Sequence, residues 1–169
     1  SVRKGDIMHF LEELSHIFDI VAGEREIDFI VNLEDTEEEV WFSPSKLERI
    51  LYNLLSNAFK YTQPGGYVKL SAKLIKEEKG TFVQISVKDN GRGIPKEAQE
   101  QIFESYYQVE KRDHREGFGL GLSLTRSLIH MHKGEIRVES EINKGSDFIV
   151  TLNVSEDAYN PDERSSENI

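Results

Sequence analysis

The sequence predicts an α+β fold, a two-layer α/β sandwich in which helices cover one face of a mixed, mostly antiparallel sheet. Three observations carry this. Strand-like segments come in runs, with few strand–helix–strand alternations between them. The stretch from Pro44 to about Thr62 sets its apolar residues in one helical stripe. The composition, 37% hydrophobic and 31% charged over 169 residues, is that of one globular domain with a single core.

Each element has its own signal. From Asp6, apolar residues recur at Ile7, Phe10, Leu11, Leu14, Ile17, Phe18 and Val21, which predicts a helix with Asp6 as N-cap and Gly23 as its stop. Ile27, Phe29, Val31 and Leu33 alternate as a half-buried strand does, and Val40 to Phe42 reads as a short second one. Ser43 is the expected N-cap of the long helix, with Pro44 at its first position and a capping box available to Ser45 and Glu48. Pro64, Gly65 and Gly66 end it. Strands are expected around Val68 to Leu74 and Phe82 to Val87, then a short helix after Pro95 up to Phe103. Glu104 to Phe118 carry many charges and no period, and read as a loop. A helix over Gly119 to His132 and two strands, Glu135 to Ile142 and Asp147 to Val154, complete the domain. The boundary is set at Ser155, with 1–155 as the domain and 156–169 as an acidic linker or tail.

Composition excludes several classes of function. There is no cysteine, hence no disulfide, thiolate metal site or cysteine nucleophile. A net charge of −10 argues against direct nucleic-acid binding. No apolar run approaches the roughly 20 residues that span a bilayer, so no membrane contact is expected. The opening Ser-Val-Arg-Lys-Gly-Asp has neither Met nor an apolar signal core, and reads as the start of an excised fragment.

Three constellations suggest chemistry. Leu47, Ile50, Leu51, Leu54, Leu55, Ala58 and Phe59 form the buried stripe of the long helix, and Asn53, Asn57, Lys60 and Tyr61 form a second stripe on its flank. Asparagine is a poor helix former. A neutral oxygen can ligate Mg²⁺ while a nearby Lys meets phosphate; a solvated polar face would give the same pattern. Next, Asp89-x-Gly91-x-Gly93-Ile94 follows a strand directly. A bare Gly-x-Gly arises about once by chance in a chain this long, so the leading Asp matters. A carboxylate there can accept from an adenine amino group while glycines let the backbone pass close to the base; a plain turn would use the same residues. Last, Gly117-Phe-Gly119-Leu120-Gly121-Leu122 opens a helix, where clustered N–H groups favour phosphate or, equally, a flexible hinge. It is neither a dinucleotide fingerprint nor a P-loop.

In this order, and with Gly145-Ser146-x-Phe148 entering the last strand, these segments resemble the N, G1, G2 and G3 boxes of sensor histidine kinases. Ile102 to Gln108 is similar to their F box. The resemblance runs from Asp6 to Val154 and is nearest to the hybrid two-component regulators of gut Bacteroides-type bacteria. It implies the Bergerat fold shared with DNA gyrase, the large heat-shock chaperone and mismatch-repair ATPases, and it implies Mg-ATP as the bound species. By the resemblance Asn57 ligates Mg²⁺, Asn53 sits beside the reacting phosphate, Lys60 reaches phosphate and Tyr61 lies against adenine. Asp89 accepts from the adenine amino group, Gly91, Gly93 and Ile94 line the base, and Ser146 assists. Gly117, Gly119, Leu120, Gly121 and Leu122 cradle phosphates, under a lid of about Glu104 to Gly117.

Departures from the family pattern are also visible. Ser43 stands where Asp is usual, and Tyr106 where a second Phe is usual. Gln108 stands where a basic residue often contacts phosphate, leaving Lys111, Arg112 or Arg115 as substitutes. None of the five histidines has the acid-x-basic-Pro context of a phosphoacceptor. The resemblance therefore implies that the γ-phosphoryl group goes to a histidine on a separate helical dimerisation domain, and onward to a receiver domain. A monomeric cytoplasmic fragment of a membrane-bound sensor is the expectation. Related hydrolases carry Glu at the position of Asn53. A serine kinase of the anti-sigma type, or an ATP-binding switch without transferase activity, would share the fold and the nucleotide.

Overall fold

The computed structural model describes residues 1–104 and 122–169. Its main sheet has five strands in the order β2-β4-β5-β7-β6. These are β2 (Asp28–Leu33), β4 (Tyr67–Glu77), β5 (Gly80–Asp89), β6 (Glu135–Glu141) and β7 (Gly145–Asn153). Among the described strands of this sheet only the β2–β4 pair is parallel. Val68, Leu70 and Ala72 on β4, Val83, Ile85 and Val87 on β5, and Val150 and Leu152 on β7 point with period two into the core. The opposite face is polar, and there the Ser86 hydroxyl donates to Asp147 Oδ1 (2.5 Å).

Helices cover the apolar face. The longest, α3 (Pro44–Tyr61), buries the seven residues of its expected stripe. Phe59 stacks on Phe18 at 5.6 Å between ring centroids, and meets Phe29 edge-on at 5.2 Å. The Ser43 side chain accepts from the Lys46 N–H (3.3 Å), so Ser43 caps α3 as expected. Ser45, offered as half of a capping box, instead approaches the Ser43 hydroxyl (3.4 Å). The other major helix, α4 (Leu122–Met131), buries Leu122, Thr125, Leu128 and Ile129.

The N-terminal helix departs from expectation. It is α1 (Ile7–Ser15), a 3₁₀ turn (His16–Phe18) and α2 (Asp19–Arg25). Gly23 does not stop it; Glu26 does, in the left-handed conformation at φ 57°, with its N–H turned to the Ala22 and Gly23 carbonyls. Ile27 follows immediately and is buried, so the helix must end where Ile27 can enter the core. The helix expected after Pro95 is two 3₁₀ turns, Lys96–Ala98 and Gln101–Phe103. Strands β4 and β5 run past the expected Leu74 and Phe82, pairing as far as Glu77 and Gly80.

Two features join the chain ends to this body. A strand with no sequence signal, β1 (Arg3–Asp6), pairs antiparallel with β3 (Glu39–Phe42). The segment 156–169 runs back along it: Val2 N–H donates to the Glu163 carbonyl (2.8 Å), Ser165 N–H to Val2 (2.8 Å) and Ile169 N–H to Lys4 (3.0 Å). Tyr159 in that segment is buried against His132, which follows α4. Ser43 N–H donates to His132 Nε2 (3.0 Å), so neutral His132 carries its proton on Nδ1. Nδ1 lies 2.7 Å from the Tyr159 hydroxyl oxygen, and that hydroxyl donates to the Asn153 carbonyl (2.7 Å). Burial, foremost, lowers the His132 pKa to about 4. The start of α3 is thus tied to α4, β7 and the C-terminal segment at one buried point.

Candidate active site

Asp89 is the last residue of β5, in phase with core-facing Val83, Ile85 and Val87. A carboxylate therefore occupies what would be the next core position. It is 6% exposed, and its register partner across β7 is Ser146, in phase with buried Phe148 and Val150. Gly91 N–H donates to Asp89 Oδ1 (2.8 Å). Burial raises the Asp89 pKa from 3.8 to about 6, against the lowering effect of the Gly91 and Ser146 N–H groups. A polar group in this position needs a donor to face it.

The turn after Asp89 is shaped by what it touches. A Cβ at Gly91 would collide with the Tyr61 carbonyl, where α3 ends. Gly93 has φ +72°, and a Cβ there would collide with the Glu141 carbonyl. No other residue fits either close approach. Arg92 N–H reaches the Tyr61 carbonyl (3.4 Å), and the Arg92 carbonyl accepts from Asn143 N–H (2.7 Å). Ile94 N–H donates to Ser140 Oγ (2.8 Å), whose hydroxyl donates to the Gly145 carbonyl (2.9 Å) and lies 2.8 Å from Ser146 Oγ.

One pocket gathers Asn57, Tyr61, Asp89, Gly93, Ile94 and Ser146 from among the expected residues. Asn57, Ala58 and Tyr61 from α3 face Asp89, Gly93, Ile94, Ser146 and Phe148 across it, with Arg92 at its side. The Arg92 guanidinium carbon is 4.3 Å from the Tyr61 ring centroid. Gly91 supports the floor through Asp89. Lys60 is exposed, its Nζ 5.4 Å from the Tyr61 ring.

The remaining candidates lie elsewhere. Asn53, one turn before Asn57 on α3, lines an apolar groove with Leu14, Ile17, Phe18, Leu51 and Tyr52, and its amide nitrogen donates to Thr125 Oγ1 on α4 (3.0 Å). Leu122 is buried in the core. Arg115, Gly117, Gly119, Leu120 and Gly121, and with them the expected lid and phosphate cradle, lie outside the described residues. Sequence reasoning missed Arg92, Ser140, Phe148 as a lining residue, and Thr125. Arg92 sits inside the Asp-x-Gly-x-Gly motif at a position written as x. Ser140 and Thr125 had no local signal. Among the described residues no group of three or more His, Asp or Glu side chains is placed to hold a metal ion.

Comparison with known proteins bears on the family and the fold. Residues 42–156 match the family described as histidine kinase-, DNA gyrase B- and HSP90-like ATPase. The chain is 39% identical over 134 residues to an adaptive-response sensory kinase SasA from a Synechococcus strain, covering 79% of this chain and 34% of the relative. It is 35% identical over 153 residues to the sensor histidine kinase WalK of Bacillus subtilis, covering 89% of this chain and 24% of that one. The chain therefore spans about a third or less of these relatives. Among solved structures, the catalytic domain of histidine kinase ThkA superposes with a TM-score of 0.80 at 25% identity, over 94% of this chain and 99% of that domain. Full-length ShkA, solved in complex with AMPPNP, gives 0.77 at 27% identity over 92% of this chain and 31% of that one.

Proposed function

The chain belongs to the histidine kinase-, DNA gyrase B- and HSP90-like ATPase family, and we propose that it is the catalytic domain of a sensor histidine kinase. It binds ATP in the pocket of Asp89, Asn57 and Tyr61 and passes the γ-phosphoryl group to a histidine on a separate helical dimerisation domain. A receiver domain is the next acceptor, and the cytoplasm the compartment. Residues 1–155 form the catalytic unit of this proposal, with 156–169 laid back on it. Among the described residues no helix is long and apolar enough to cross a membrane.

The observation that carries the reading is the buried carboxylate of Asp89 at the end of a pocket floored by glycine. Adenine fits that chemistry: its amino group supplies a donor for Asp89, and its flat ring suits the pocket lined by Tyr61, Gly93 and Ile94. Tyr61 offers an aromatic wall. Asn57, a turn away on the same helix, points its neutral amide into the same pocket. Mg²⁺ suits a site with one such oxygen, since it binds few protein groups and completes its shell from phosphates and water; when bound it neutralises phosphate charge.

In the transfer, the bond from the γ-phosphorus to the bridging oxygen breaks as a bond to an imidazole nitrogen forms, ADP leaves, and the proton on the other ring nitrogen passes to water. Imidazole is nucleophilic as it stands, so the domain need supply no strong base. Its contribution is positioning. Asn53 occupies the place where related hydrolases carry Glu, and an amide cannot take a proton from water as a carboxylate can. A transferase is therefore favoured over a hydrolase.

The test is transfer in trans. The domain, mixed with the helical domain of its own parent protein and labelled ATP, should label that domain with phosphate that is acid-labile and base-stable. The isolated domain should hydrolyse ATP very slowly and should not label itself. Asn57→Ala should abolish transfer. Acid-stable labelling of a serine protein would favour the anti-sigma type, and brisk hydrolysis by the domain alone would overturn the mechanism.

A further inference from the structure

The bond between Asn53 and Thr125 joins a candidate catalytic side chain to a helix 72 residues away in sequence. Thr125 is fully buried, 0% exposed, in the face that α4 turns toward α3. Its Cβ carries a methyl and a hydroxyl, and the hydroxyl oxygen receives the Asn53 amide nitrogen at 3.0 Å. A primary amide has a donor end and an acceptor end that differ little in shape. Committing the donor end to Thr125 holds the whole side chain in one rotamer and one orientation. Without that bond the amide would be free to turn about its terminal torsion.

We propose that Thr125 is a positioning residue for phosphoryl transfer, holding the Asn53 amide in one orientation. The proposal rests on the kinase reading for its rate effect, but not for the bond. Thr125 is not among the described residues that line the pocket of Asp89, Asn57 and Tyr61, so its effect falls on transfer rather than on binding. Valine matches threonine in shape and removes the hydroxyl; serine keeps the hydroxyl and removes the methyl.

Transfer to the helical domain in trans, ADP affinity by calorimetry and thermal melts should be measured for Thr125→Val and Thr125→Ser. Thr125→Val should lower the transfer rate at least tenfold with ADP affinity within about twofold, and Thr125→Ser should recover most of the rate. In an Asn53→Ala background Thr125→Val should cause no further loss, as expected when one residue acts through the other. The Asn53 side-chain amide resonance, identified by its loss in Asn53→Ala, should shift in Thr125→Val and stay near its place in Thr125→Ser. This last readout needs no activity and distinguishes failure of the positioning bond from failure of the kinase reading. An unshifted Asn53 amide in Thr125→Val, or an equal loss of rate with and without Asn53, would overturn the proposal. If Thr125→Val does not fold, the same measurements on Thr125→Ala decide the question.

Discussion

Replacing Asp89 by Asn should make the domain more stable while weakening its hold on adenine. The buried carboxylate is raised from 3.8 to about 6 chiefly by burial. A folded-state pKa above the unfolded one means that the fold prefers the protonated form. Below pH 3.8 both states are protonated and there is no penalty. The penalty grows as pH rises from 3.8 to about 6, and above that it reaches roughly 3 kcal/mol. Asn carries no charge, keeps an oxygen for the Gly91 N–H, and adds an NH₂ that must find an acceptor, so the net gain at pH 8 should be about 1–3 kcal/mol. Urea melts of both proteins at pH 8 and pH 4.5 test this. The advantage of the variant should shrink by about 2 kcal/mol at the lower pH, as the wild-type carboxyl takes up its proton. His132, whose lowered pKa costs the fold stability as pH falls from 6.5 toward about 4, acts in both proteins and cancels in the comparison. ADP should bind the variant at least tenfold more weakly, through loss of a charge-assisted hydrogen bond of about 1.5–3 kcal/mol. A variant less stable than wild type at pH 8, or an advantage indifferent to pH, would refute the electrostatic reasoning.

Two further substitutions test the frame around the site. Tyr159→Phe removes the hydroxyl shared by His132 Nδ1 and the Asn153 carbonyl, and should cost about 1–3 kcal/mol in urea melts; a loss under about 0.5 kcal/mol would mean that water replaces it. Gly23→Ala, inside α2 with open space where its Cβ would stand, should stabilise the domain by about 0.5–1 kcal/mol, and a loss of stability would show that the glycine is needed.

The sequence revealed elements whose signal is local. The stripe of α3 was legible because seven apolar residues recur at helical spacing and the same seven are buried. The Asp89 turn was legible because a close backbone approach admits only glycine, and that demand shows in the residue type itself. Other features had no such mark. β1 is four residues with one buried, too short to show a period, and it exists because β3 pairs with it. The end of the first helical stretch was misread because Gly23 is a plausible stop, whereas the position of Ile27 in the core decides where the chain must turn. The C-terminal segment is polar enough to read as a tail, and a single buried tyrosine with a few backbone bonds holds it.

The same distinction separates the residues of the site. Those that face the pocket, Asp89, Gly93, Asn57 and Tyr61, sit in short motifs because each belongs to a local backbone shape that the chemistry needs. Those that hold them come from distant parts of the chain. Ser140 joins the Ile94 N–H to β7, and Thr125 joins Asn53 to α4. Asp89 meets Ser146 only because β5 and β7 pair in this register; a slip of one residue would turn the whole core-facing set outward. Apolar Val83, Ile85 and Val87 fix the register that places the carboxylate, since their burial is what a slip would forfeit. Site geometry here is set by core packing, and a substitution that shifted the β5–β7 register would disable the pocket without touching a residue that lines it.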